Sequence, residues 1–257
     1  MIDVHAHLED EAFNHDIGDV IERARKANVK AIVTSPICPE DVEKAFNIAS
    51  RFKNYVYVSL GFDPVILDYD KFNVQLEYFK KYKDRIVALG EVGLDYYYVR
   101  DHDSRSVQER IFREWIRIAR DYNLPLVVHS RSAGKYAIQI ILDEGYYNVN
   151  MHAYDGSVGW ALEACKKGIM FSIPPSVWFS QQKQKLTKYL PLDCLILESD
   201  APVLSPFKGE RNEPAYIVYA AKKIAEIKKV SFEDVVKITY RNTLKLIPKL
   251  STVKYPF

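Results

Sequence analysis

The chain has 257 residues, of which 48% are apolar and 27% charged, an ordinary globular mixture that excludes a largely disordered or collagen-like protein. Its formal charge of +2 gives no global commitment to coating nucleic acid, so any phosphate affinity has to come from local arginines and lysines. The length suits two small domains or one α/β barrel.

The first residues, MIDVHAHL, read as a strand over 1–7, without the basic region and long apolar stretch of a secretory signal. No segment reaches the roughly 18 uninterrupted apolar residues of a membrane span. Cytoplasmic location is therefore the default expectation, with no membrane partner and no obligate protein partner. Short runs rich in Val, Ile, Leu and Tyr then alternate with segments of helical periodicity to the end of the chain. Seven further strands are expected at 30–35, 55–61, 85–91, 125–129, 148–152, 168–173 and 193–199. Intervening helices are clearest at 16–28, 40–53, 104–122 and 132–144, where Val107, Ile111, Trp115 and Ile118 form one apolar stripe of core packing. After the eighth strand, the Pro-containing loop SDAPVLSPFKGERNEP leads to helices at 214–228 and 231–247, the second capped by Ser231. No linker marks a boundary, so one domain over 1–257 is the economical reading. Cys38, Cys165 and Cys194 are too widely spaced for a disulfide framework or a paired metal motif, and read as free thiols, with Cys194 buried.

His5 and His7 flank one residue on the first strand, and alternation of side chains puts both rings on one side. Alone, such a pair is weak evidence for a metal. Ionisable groups recur, however, at the carboxyl ends of other strands: Glu91, His129, His152 and Asp200. Individually each has an ordinary reading, Glu91 as an arginine's partner, His129 as a core histidine, Asp200 as a helix cap. Together they would meet at the mouth of a barrel, where unpaired buried ions cost several kcal/mol each, at order of magnitude, and divalent cations offset that cost. Groups on the first and eighth strands converge only if those strands are neighbours, which favours a (β/α)8 TIM barrel over an open sheet.

HAHL at 5–8, GEVGLDYY at 90–97, HSR at 129–131, MHAYDG at 151–156, and ESDAP with the following RNEP at 211–214 resemble the motif series of the TatD family of metal-dependent deoxyribonucleases. Weaker features agree: Phe13 with Asp16, Gln108 with Phe112, and Asn242 with Leu246. The resemblance implies a hydrolase in which His5, His7 and Asp200 hold one metal, His129 and His152 a second, and Glu91 bridges them. Two departures bear on the pocket. Gly61-Phe62-Asp63-Pro64 stands where the family usually has Gly-x-His-Pro, and His152-Ala153-Tyr154-Asp155-Gly156 where it often has His-Cys-Phe-Ser-Gly.

Two metals about 3.5–4 Å apart lower the pKa of a shared water and polarise a phosphoryl oxygen. The expected reaction is phosphodiester hydrolysis at DNA or RNA ends, with Glu91 and Asp200 as catalytic residues and Asp200 orienting the water or accepting its proton. Arg131 and Arg211 are candidate phosphate ligands, although either reads equally well as a structural salt bridge, Arg211 for instance with Glu213 or Glu210. The donor set suits Zn, Mn, Co or Ni, with Mg at a weaker position. Of Tyr96, Tyr97 and Tyr98, at least two are expected to pack the rim rather than stack on bases, and Trp178 and Phe179 invite the same reading. His15 and His102 are expected in loops, solvated. Alternative functions are a small-molecule amidohydrolase, esterase or phosphoesterase on the same dinuclear site, and a binding protein that keeps a structural metal.

Overall fold

Parallel strands are covered on both faces, so they form from near-continuous apolar runs such as Ala31–Thr34 and Leu195–Leu197. In a computed structural model, which describes residues 1–253, eight such strands form: β1 (Ile2–Ala6), β2 (Ala31–Thr34), β3 (Val56–Leu60), β4 (Ala88–Gly93), β5 (Leu126–His129), β6 (Val149–Met151), β7 (Met170–Ile173) and β8 (Leu195–Leu197). They pair in parallel in chain order. Residues 254–257, the end of the expected domain, lie outside the described residues.

Each expected strand is present, with shifted ends. β4 starts at Ala88 rather than 85 because the chain is still turning out of the preceding helix, with Arg85 and Ile86 N–H donating to Tyr82 O. β8 is three residues long rather than seven, because Leu192–Cys194 form a 3-10 turn and residues 198–200 leave the ladder. Cys194 is accordingly half-buried, not buried.

The helices are α1 (Ile17–Lys26), α2 (Val42–Arg51), α3 (Tyr69–Tyr82), α4 (His102–Asp121), α5 (Gly134–Glu144), α6 (Val158–Lys166), α7 (Gln181–Tyr189), α8 (Ile217–Lys228) and α9 (Phe232–Leu246). α2 and α8 begin later than expected, since prolines open a 3-10 turn ahead of each, at Pro39–Asp41 and Pro214–Tyr216. Ser231 caps α9 by accepting from Asp234 N–H at 3.0 Å. On α4, Ile111 and Trp115 are buried, and Val107 and Ile118 pack against the same core. Among the described residues, no helix is long and apolar enough to cross a membrane.

A second apolar cluster joins Ile2, Val4, Val33, Met170 and Ile196 with Val87, so that residues from well-separated strands meet. It fills the barrel interior, and Tyr240, Leu246 and Leu250 from the C-terminal segment complete it. Closure between the first and last strands uses few bonds. Ser199 donates from N–H and Oγ to the buried Asp3 carboxylate at 2.7 and 2.6 Å, and Asp200 N–H donates to His5 O at 2.9 Å. The eight strands thus form a nearly closed TIM barrel, and that closure brings the ends of β1 and β8 together.

Candidate metal centre

All six metal-ligand candidates lie at or just past the carboxyl ends of strands, the end of this fold where loops converge. Glu91 is at the centre. Its strand fits closely between β3 and β5 because glycine occupies the contact points: a Cβ on Gly61 would lie 2.1 Å from Glu91 O, and one on Gly93, at φ +143°, 2.1 Å from His129 O. Asp200 adopts the left-handed conformation at φ +56°, which aspartate tolerates better than most residues, and turns the chain from β8 toward β1.

The two carboxylate oxygens of Glu91 face different partners. Oε2 lies 3.1 Å from His5 Nε2 and 3.5 Å from His7 Nε2. Oε1 touches His129 Nδ1 and lies 3.5 Å from His152 Nε2. Asp200 Oδ1 is 3.5 Å from His5 Nε2 and 3.7 Å from His7 Nε2. Two donor groups, His5–His7–Asp200 and His5–Glu91–His152, each have ligand atoms within 4.8 Å of one another. His5 Nε2 and His129 Nδ1 are buried without a hydrogen-bond partner of good geometry. Orphaned imidazole nitrogens converging on two carboxylates are the donor chemistry that divalent cations take up, so the residues fit such ions.

Each histidine is held through its other nitrogen. His5 Nδ1 meets Ser35 Oγ at 3.0 Å, and His7 Nδ1 meets Ser35 O at 3.0 Å and Glu9 Oε1 at 3.3 Å. His129 Nε2 lies 3.0 Å from Asp95 Oδ2, and His152 Nδ1 lies 3.2 Å from Glu198 Oε2. Such partners fix ring orientation and make imidazoles better ligands. Sequence reading assigned no role to Glu9, Ser35, Asp95 or Glu198. A signal existed, since Asp95 and Glu198 lie within the quoted motifs and a ligating histidine commonly has a carboxylate behind it.

Burial opposes charge on Glu91, His7, His129, His152 and Asp200, and mutual attraction overrides it. Burial would raise the Glu91 carboxyl, yet His152 and His129 hold it well below the usual range. Burial would lower the imidazoles, yet Glu9 and Glu91 push His7 well above its ordinary value, and Glu91, Glu198 and Asp200 do the same for His152. His129 rises to about 9 because Glu91 and Asp95 outweigh burial. Asp200 is lowered, burial being outweighed by His152, His5 and His7.

A cavity of about 500 Å³ opens over this cluster, with Asp63, Arg131, Asp155 and Lys183 in its wall. Arg131 sits over the Tyr97 ring at 4.0 Å and the Tyr98 ring at 5.1 Å. Arg211 is not brought to this cavity. Its guanidinium donates to Asp16 at 2.9 and 2.6 Å and to Ala12 O, so its ion pair is to Asp16 rather than to Glu213 or Glu210; Glu213 instead takes Arg23 at 2.8 Å. The rim aromatics differ in exposure. Only Tyr96 is buried, at 9% exposure, while Tyr97, Tyr98, Trp178 and Phe179 are exposed because they stand on turns beyond the strand ends. His15 is exposed on a turn, and His102 is exposed but opens α4 instead of lying in a loop.

The family profile described as TatD related DNase matches residues 2–248. Human deoxyribonuclease TATDN3 is 40% identical over 261 residues, covering 97% of this chain and 95% of that protein. The uncharacterized metal-dependent hydrolase YabD of Bacillus subtilis is 34% identical over 254 residues, 96% of this chain and 98% of its own. The crystal structure of YJJV, a TatD homolog from Escherichia coli, superposes with a TM-score of 0.87 at 22% identity, over 96% of this chain and 98% of that one, which shows the shared fold. With the profile spanning nearly the whole chain and these relatives aligned end to end, the chain belongs to the TatD-related DNase family of hydrolytic enzymes.

Proposed function

We propose that this chain is a deoxyribonuclease that hydrolyses phosphodiester bonds at strand ends, with two divalent cations in the site. His5, His7 and Asp200 would hold one, His129 and His152 the other, and Glu91 would bridge. The observation that carries this reading is the division of Glu91, with Oε2 toward His5 and His7 and Oε1 toward His129 and His152. When bound, such cations supply a nucleophile at neutral pH and polarise the phosphoryl oxygen. Asp200, buried and held ionised by three histidines, orients the attacking water and takes its proton. Arg131, fixed against Tyr97, presents its planar fork to a phosphate oxygen. Four imidazoles with two carboxylates favour Zn, Mn, Co or Ni, with Mg at the weaker position.

Asp63 and Asp155 in the cavity wall favour a second reading, a small-molecule amide or ester substrate of lower negative charge. End-labelled single-stranded DNA and RNA, digested by metal-reconstituted protein beside a chelated control and Glu91→Gln, separate the two. Metal-dependent loss of terminal nucleotides is expected. No degradation, with turnover of a small ester or amide, would establish the second reading instead.

A further inference from the structure

Beside the catalytic cavity lies a second one of about 470 Å³, and the two share Lys183 and Leu204 as a common wall. Lys183 is only 8% exposed, on the first turn of α7, and its Nζ donates to Ala153 O at 2.8 Å. An ammonium carries three donors, so this one carbonyl leaves capacity for an anion at the boundary between the cavities. Phe179, Phe207 and Lys208 line the second cavity, with Glu210 the one carboxylate among its lining residues.

The surface around it interleaves rings with ammonium groups. Lys208 Nζ lies 5.3 Å from the Phe179 ring centre, Lys223 Nζ 5.5 Å from that of Trp178, and Lys222 Nζ 5.9 Å from that of Tyr219. The rings brace each other edge to face, Phe207 against Tyr219 at 5.2 Å and Trp178 against Tyr219 at 5.8 Å. Phe179, Trp178 and Phe207 nevertheless stay 43%, 44% and 36% exposed. Core packing does not require large rings to remain so open, whereas exposed rings interleaved with cations offer stacking faces to bases and charge to phosphates.

We infer that this groove is a subsite for single-stranded nucleic acid, in which the nucleotides next to the scissile phosphate stack on Phe179 and Phe207 and their phosphates meet Lys183 and Lys208. The inference rests on the phosphodiesterase reading and adds the path of the strand. Base stacking is sequence-tolerant, so the groove recognises a strand without selecting its sequence.

Binding of fluorescent, fully phosphorothioate-linked oligothymidines to metal-loaded protein tests this, with cleavage of ordinary oligothymidines and thermal unfolding measured on the same samples. Wild-type protein should bind an octamer at least about tenfold more tightly than a dimer. Phe179→Ala combined with Phe207→Ala should bring that ratio close to one while the variant still unfolds cooperatively well above the assay temperature, and Lys208→Glu should flatten the salt dependence by about one phosphate contact. A ratio unaltered in the double variant, or absent in wild type that cuts the ordinary strand, overturns the groove and leaves the phosphodiesterase reading standing. Length-dependent binding lost in the variant, with no cutting by wild type, supports the groove and overturns the hydrolytic reading. Neither binding nor cutting overturns both.

Discussion

Asp95 holds His129 by its Nε2 at 3.0 Å, which turns the opposite ring nitrogen onto Glu91. The carboxylate is itself fixed by the N–H groups of Tyr97 and Tyr98 at 2.9 and 2.8 Å. One residue therefore links the rim turn to the orientation of a ligand candidate. Asp95→Asn keeps the size but weakens the charged support, and should lower metal affinity by about 10–100-fold in a competitive chelator titration. Unchanged affinity would mean that the backbone of β5 alone sets the ring.

Arg211 has a structural role to test. Its bond to Asp16 is the main reason that carboxyl is held down at about 2, with burial opposing and Arg23 assisting. A depressed carboxyl contributes stability above its unfolded value near 4 and loses it as pH falls toward about 2. Because the pair is solvent-screened, the contribution is about 1 kcal/mol at most. Denaturant unfolding of wild type and Asp16→Asn should differ by this amount at pH 5–7 and converge below pH 4. A pH-independent gap would show that the carboxylate's charge is not what matters.

Asp3 substitutes for missing strand pairing between β8 and β1. Replacing it with Ala leaves the buried Ser199 N–H and hydroxyl without their acceptor, at about 2 kcal/mol. Urea titration measures the loss. An unchanged midpoint would mean that the neighbouring backbone bonds, such as Asp200 N–H to His5 O, are sufficient.

At Arg131, Lys is not a conservative replacement, since an ammonium cannot keep both the ring stacking over Tyr97 and a two-pronged phosphate contact. Arg131→Lys should raise KM for an oligonucleotide about tenfold, at order of magnitude, with the larger share in KM rather than kcat. Equal kinetics for the two proteins would remove Arg131 from substrate binding.

The alternation of apolar runs with helical stripes made the barrel legible, because strands covered on both sides carry an unmistakable composition. Strand ends were less legible: β8 reads as seven residues around the apolar centre Leu195–Leu197, and only the turn at Leu192–Cys194 and the left-handed Asp200 shorten it. The convergence of His5, Glu91 and Asp200 could be argued from position at strand ends. The partners of His7 could not, since Glu9 and Ser35 reach it from separate loops whose courses no periodicity encodes. For the same reason the sequence points Arg211 to Glu210 or Glu213, which are close only along the chain, whereas its contact to Asp16 spans 195 residues of sequence.

Metal stoichiometry, measured by mass spectrometry on wild type and Glu91→Gln after equilibration with Zn or Mn, tests the bridged centre most directly. About two equivalents per wild-type chain are expected, with at least one lost from Glu91→Gln together with oligonucleotide hydrolysis. Two equivalents retained by Glu91→Gln, or full activity at a single equivalent, would contradict a pair of cations joined through this carboxylate.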